Sequence, residues 1–298
     1  MTEEYAAPGQ DFIQRFLLED LDIHGAHVRL TKSWQRMRAR RNYPQAVMQC
    51  VGEMAAVTVL IGNKMKEPGK LSFQLRGNGK VPMIIVDCTD QLNVRGYASI
   101  EGEISAEDGL HDLLGDGRLL MTLDLAKAAT PFQSFVPIEG DTLAKVFEHY
   151  IAQSEQQAAC LILSASETSA SGLLLQKLPG ADTRDLDGWS RVTQLAQTVR
   201  DDELQTLDSH SLLTRLFHEE TVRIFEPRAV THHFPPDPDK VRAVLKNLGR
   251  IEVERIIAEQ GKVVVDDDLS NNRYEFSAEE ALALFAEESE ITRPPTLH

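Results

Sequence analysis

Leu71-Ser72-Phe73-Gln74-Leu75-Arg76-Gly77-Asn78-Gly79-Lys80-Val81-Pro82-Met83-Ile84-Ile85-Val86 is the stretch that decides the fold class. Leu71, Phe73 and Leu75 alternate with polar residues, the period of a strand with one buried face, and Met83 to Val86 is a short apolar run rich in β-branched residues. The glycines at 77 and 79 mark the turn between them, so the stretch predicts an antiparallel hairpin. A phosphate loop is a poor alternative reading. It needs a glycine five residues before the Gly-Lys pair and a Ser or Thr after the lysine, and Gln74 and Val81 stand there.

Around this hairpin the periodicity switches between strand and helix, which predicts an α+β protein. Phe12, Phe16 and Leu17, then Ile23, Val28 and Leu30, read as a short helix followed by a strand. From about Gln45 the residues Val47, Cys50, Val51, Met54, Ala55 and Thr58 recur at helical spacing until Pro68-Gly69. Further strands are expected over residues 92–100 and 118–125. Asp141 is expected to cap a helix whose Leu143, Phe147, Tyr150 and Ile151 form one stripe. Leu161-Ile162-Leu163 and Leu173-Leu174-Leu175 read as a strand pair joined by a Ser-rich loop.

The chain changes character at about residue 182. Trp189, Val192, Leu195, Ala196 and Val199 share one helical face, and Leu204, Leu207, Leu212, Leu213, Leu216 and Phe217 line the helices that follow. Periodicity alone allows two readings: a helical layer packed on the sheets, or a detachable apolar surface that binds unfolded chains. The proline-dense Thr231-His232-His233-Phe234-Pro235-Pro236-Asp237-Pro238-Asp239 then predicts an extended connection. Beyond it come two helices, over 240–248 and 250–260, two strands around Val263-Val264-Val265 and Tyr274-Glu275-Phe276, and a last helix with Leu282, Leu284 and Phe285. The resulting division is an N-terminal sheet-and-helix core over 1–181, a helical linker over 182–230 and a small α/β module over 231–298.

Composition narrows the function. The 298 residues, 42% apolar and 26% charged, suit a globular protein of two domains, and no uninterrupted apolar run approaches the ~20 residues that span a bilayer. Glu3 and Glu4 occupy the place where a secretory signal carries basic residues, so a cytoplasmic protein is expected. A net charge of -15 opposes nucleic-acid binding, and the cluster Arg36, Arg38, Arg40 and Arg41 lacks interleaved aromatics and reads as a solvated helix face. Cys50, Cys88 and Cys160 each sit alone in apolar stretches, which predicts buried, inert thiols.

Several motifs together resemble the bacterial 33 kDa heat-shock holdases, the redox-regulated 33 kDa chaperonin family. They are Gln74-Leu75-Arg76-Gly77-Asn78-Gly79, Arg95-Gly96 with Glu101-Gly102-Glu103-Ile104, and Glu139-Gly140-Asp141-Thr142-Leu143-Ala144 running to Tyr150. Ser154-Glu155-Gln156, Gly172-Leu173-Leu174-Leu175-Gln176 and Leu216-Phe217-His218-Glu219-Glu220 running to Phe225-Glu226-Pro227 extend the likeness over nearly the whole chain. The resemblance implies an α/β core, a metastable helical linker, and a C-terminal module in which Cys-x-Cys and a later Cys-x-x-Cys hold zinc. In that family oxidation expels the metal and uncovers a client-binding surface without ATP, in keeping with structural zinc as a folding energy and thiolates as redox-sensitive ligands.

Here the pattern departs from the family. The register fixed by Phe225-Glu226-Pro227 and by Leu245-Lys246 puts Phe234 and Pro236 at the first pair, and its continuation to Tyr274 and Phe276 puts Asp267 and Ser270 at the second. No thiolate remains, so no zinc and no other cofactor is expected. A substitute site from His232, His233, Asp237, Asp239, Asp266, Asp267 and Asp268 matches no calcium-loop spacing. The expected function is an ATP-independent holdase without thiol-zinc control, constitutive or triggered by unfolding of linker and module. Its expected partners are unfolded or partly folded clients, with a homodimer allowed, and its client surface is Leu195, Val199, Leu204, Leu207, Leu212, Leu213, Leu216 and Phe217. The alternative is a dedicated binder of one native partner, such as a translation factor. An enzyme is not expected, because His218-Glu219-Glu220 lacks the second histidine of a zinc-protease helix and no nucleophile elbow occurs.

Overall fold

The computed structural model describes residues 10–285 and divides into two compact units, Met1–His233 and Phe234–His298. Glu3 and Glu4, on which the expected location rests, lie outside the described residues, as does the end of the C-terminal module.

The first unit begins with β1 (Phe12–Leu18) and β2 (Ile23–Leu30), then α1 (Lys32–Arg38) and α2 (Gln45–Gly62). A meander of β3 (Gly69–Arg76), β4 (Met83–Thr89) and β5 (Val94–Ser99) is followed by α3 (Leu110–Leu114), β6 (Arg118–Leu125) and β7 (Phe132–Pro137). α4 (Leu143–Glu155) leads to the hairpin β8 (Ala159–Ala165) and β9 (Ala170–Lys177). Four helices come next, α5 (Ala181–Arg184), α6 (Gly188–Ala196), α7 (Asp201–Thr206) and α8 (Ser209–Leu216), and two short strands close the unit, β10 (Val222–Ile224) and β11 (Arg228–Ala229).

The strands form two antiparallel sheets. In the first the order is β10-β1-β2-β9-β8, with β11 also paired to β1, and in the second it is β5-β4-β3-β6-β7. α2 packs against strands of both sheets and is their common core. By length and composition α2 could cross a membrane, but most of it is buried inside the unit. The uninterrupted-run criterion passed over it because Gln49 and Glu53 break the run. Gly52 lets it approach the first sheet closely, since a Cβ there would lie 2.5 Å from the Ala165 methyl. Ile13, Ala26, Val28, Leu30, Leu161 and Leu174 point from the first sheet into this core.

The opposite face of the first sheet is covered too, by α5 to α8. This double burial explains why β1 does not read as a strand in sequence. Ile13 serves one core while Phe16 and Leu18 serve the other, so apolar residues crowd both faces and mimic helical spacing. The segment expected as a short helix is therefore a strand hairpin, β1 with β2. The start of α4 also differs by one residue: the cap is Thr142, whose Oγ1 accepts from the Lys145 amide, and not Asp141. Gly77 in the β3–β4 turn is required by close approach, because a Cβ there would sit 1.8 Å from the Leu114 carbonyl oxygen.

The second unit comprises α9 (Pro238–Leu248), α10 (Arg250–Gln260), the hairpin β12 (Lys262–Asp267) with β13 (Asn272–Ser277), and α11 (Ala278–Ala283). Its core is small: Val241, Leu245, Val253, Val263, Tyr274, Phe276, Ala281 and Phe285 are buried together. Gly261 ends α10 in the left-handed conformation, at φ 75°. A core of this size is marginal by itself.

Candidate functional site

The covered face of the first sheet is where chemistry departs from ordinary core packing. From the strands it presents Phe16, Leu18, Ile23, Cys160, Leu173 and Leu175, and from the helices Val192, Ala196, Leu204, Leu212, Leu213, Leu216 and Phe217. On β2 the residues that share this face with Ile23 are His27 and Arg29, because strand residues two apart point the same way. Both are buried. They tie the sheet to helices some 180 positions further along the chain.

His27 Nδ1 and Ser209 Oγ are hydrogen-bonded at 2.9 Å, and His27 Nε2 lies 3.5 Å from the Leu204 carbonyl. A ring that donates through Nε2 accepts from the serine hydroxyl through Nδ1, which is the neutral form. Burial favours that form and pushes the His27 pKa down to about 4. Arg29 Nη1 donates to the carbonyls of Thr206 and Leu207, at 2.7 and 3.0 Å, and its guanidinium lies over the Phe12 ring. A third tie comes from Gln205, which donates to Ser164 Oγ at 2.7 Å and accepts from Ser169 Oγ at 3.0 Å.

This seam is incompletely satisfied. Arg29 Nε and Ser171 Oγ are buried without a hydrogen-bond partner, a cost of roughly 1–3 kcal/mol for each such group. Within the helical layer, Glu203 bridges Arg200 and Arg215 at 2.9 and 2.6 Å, and Arg191 joins Asp185 and Glu220. Those pairs hold the helices to one another rather than to the sheet.

All eight residues singled out by helical spacing lie in this one cluster. Leu204, Leu212, Leu213, Leu216 and Phe217 are buried against the sheet, and Leu195, Val199 and Leu207 are half-buried at its margin. Sequence reasoning missed the polar half, His27 and Arg29. Their alternation with Ile23 on β2, a segment already read as a strand, was a local signal for the face they share but not for the partners they meet on it. His218 is exposed beyond the end of α8.

The second unit shows what stands at the family's zinc positions. The Asp267 carboxylate accepts from the Leu269 and Ser270 amides at 3.2 and 3.3 Å and from the Ser270 hydroxyl, which closes the β12–β13 turn. Asn272 Nδ2 donates to the Phe234 carbonyl at 2.9 Å and to Ser270 Oγ at 3.3 Å. Three of the four positions are thus tied by hydrogen bonds, and Phe234 and Pro236 offer no side-chain donor to a metal. Zinc does not fit this donor set. Among the described residues no group of three His, Cys, Asp or Glu side chains could hold a metal ion.

The three cysteines are buried as free thiols. Burial pushes Cys88 up to about 12 and Cys160 up to about 11, and raises Cys50 as well, so the reactive thiolate is scarce at neutral pH.

Known proteins share this plan. The family model described as Hsp33 protein matches residues 11–277. The 33 kDa chaperonin of Neisseria meningitidis serogroup A is 36% identical over 280 residues, covering 93% of this chain and 92% of its own. That of Pseudomonas aeruginosa is 37% identical over 282 residues, covering 93% and 95%. The crystal structure of the 33 kDa chaperonin of Thermotoga maritima has the same fold, with a TM-score of 0.81 at 22% identity over 94% of this chain and 99% of that one. With residues 11–277 matched by the family model and relatives of 36–37% identity covering 93% of its length, the chain belongs to the Hsp33 family of molecular chaperones.

Proposed function

We propose that this chain is an ATP-independent holdase whose client surface is the face of the first sheet now covered by α6 to α8, and whose release is freed from thiol-zinc control. Residues 182–230 act as a releasable linker and residues 231–298 as a companion module held by its apolar core and the Asp267, Ser270, Asn272 hydrogen bonds. The trigger is unfolding, by heat or by damage to linker and module. The clients are unfolding polypeptides rather than nucleic acid or membranes, and the setting is the cytoplasm.

One observation carries this reading. The linker covers an apolar sheet face through a seam that leaves buried polar groups unpaired, so the covering layer is weakly held while the face beneath it is preformed. The test is light scattering of a chemically unfolded client diluted into buffer with reduced protein and no ATP. Suppression at near-stoichiometric ratio after mild warming is expected. Absence of suppression at every temperature below global unfolding, with and without oxidant, would refute the reading.

A further inference from the structure

We propose that Arg29 is a client-recognition residue, and that the preferred client segment is an apolar helix carrying a carboxylate beside its apolar stripe. This rests on the covered sheet face being the client surface, and it specifies what that surface selects.

The helical layer is the first occupant of the face, and its contacts show what the face accepts. To the apolar strand residues it offers leucines at helical spacing. To Arg29 it offers the Thr206 and Leu207 carbonyls at the C-terminal end of α7, the negative end of the helix dipole. These carbonyls are neutral, however, and engage only Nη1. Nε is buried without an acceptor, and among the described residues no carboxylate lies within ion-pair distance of Arg29. The two nearest acids are committed elsewhere. Asp11 accepts from the Thr31, Lys32 and Ser33 amides and the Thr31 hydroxyl, and Asp208 caps α8 through Ser211. Burial lowers the Arg29 pKa, and the more distant charges of Asp208 and Asp11 offset only part of that effect.

A carboxylate satisfies what the carbonyls cannot. A guanidinium presents its donors as a planar fork that a carboxylate accepts in pairs, engaging Nε together with one Nη. On a chain of net charge -15, acidic clients are repelled at long range, so one cation set beside the Phe12 ring acts as a local filter rather than a general attractant.

The test uses two fluorescent amphipathic peptides with the same leucine stripe, both amidated at the C-terminus, differing by Glu or Gln beside the stripe. Anisotropy is followed with the full-length protein at a temperature where the Cys160 thiol has become reactive. The Glu peptide should bind about tenfold more tightly, with the preference shrinking as salt rises. Arg29→Gln should bring the Glu-to-Gln affinity ratio to about one, whatever loosening the helical layer does to both affinities together, and Arg29→Lys should restore part of the ratio. Equal binding by the wild type, or a preference that survives Arg29→Gln, overturns the proposal while leaving the holdase reading intact. Binding of neither peptide, with Cys160 reactive, overturns the client surface itself and this inference with it.

Discussion

The two faces of the first sheet are packed by opposite rules. Toward α2 the sheet shows Ile13, Ala26, Val28, Leu30 and Leu174 against Val51, Met54 and Ala55, an apolar contact in which the fully buried Thr58 bonds its own helix through the Met54 carbonyl. Toward α7 and α8 the same strands show leucines interrupted by His27, Arg29 and Ser171. The first face loses most of its stabilisation only when the unit unfolds. On the proposed release, the second loses its cover and leaves the sheet standing, because that sheet is still backed by α2. The sheet is on that proposal a platform sealed on one side by close packing and covered on the other by a removable lid.

The comparison can be broken most severely on the α2 side. Met54 is fully buried, and Met54→Ala should cost about 2–5 kcal/mol. Urea unfolding followed by circular dichroism should move to lower denaturant, with Cys50, Cys88 and Cys160 becoming reactive together. Leu212 is as completely buried on the other face, and Leu212→Ala removes a comparable contact from the lid alone. Cys160 should then react faster while Cys50 and Cys88 stay protected, and aggregation suppression should begin at a lower temperature. If all three thiols respond alike, the faces are not separable.

Acid should sharpen the same contrast. His27 has its folded pKa depressed from 6.5 to about 4, so it binds the proton more readily once the helices over β2 are undocked or the unit is unfolded. His27 therefore contributes its full stability above about pH 6.5 and loses it as pH falls toward 4, by about 3 kcal/mol at most. The charged groups around it are Arg29 on its own strand, Asp208 at the start of α8, and Glu203 on α7, the last already paired with Arg200 and Arg215. The facing residues of β1 and β9 carry no charge, and His210 of α8 is exposed. Glu53 on α2 works in the opposite sense: burial raises it to about 7, so its protonation favours the folded state as pH falls. Subtracting the pH profile of a His27→Asn variant isolates the histidine. The protection of α7 and α8 amides, after correction for the pH dependence of intrinsic exchange, should fall below pH 6 in the wild type and change less in the variant.

A smaller effect is expected in the second unit. Asn272→Ala removes both the bond to Phe234 and that to Ser270, worth about 1–3 kcal/mol together. The melting of this unit, followed by amide exchange of Val263 and Phe276, should shift downward, and added zinc should not restore it.

Elements with one wet face were legible in the sequence. β3, with Leu71, Phe73 and Leu75 alternating with polar residues, and the stripe of α4 follow simple periods, the outer side of α4 being open to water. β1 was misread because both its faces are buried, and β7 was missed because Phe132 and Phe135, each 61% exposed, defeat the alternation. The lid's apolar half was readable at helical spacing. Its polar half was not, since His27 meets Ser209 across 182 positions of chain and no local pattern encodes such a meeting. The loss of the zinc ligands was legible from register, whereas the Asp267, Ser270 and Asn272 bonds in their place needed the turn geometry.

The most direct measurement follows Cys160 labelling by a thiol reagent and aggregation suppression in the same sample as temperature rises, in reductant and in oxidant. Suppression should appear as Cys160 becomes reactive, with Cys50 and Cys88 still protected, at the same temperature in both buffers. Suppression while Cys160 remains protected, or suppression that requires the oxidant, would contradict a lid released by unfolding alone.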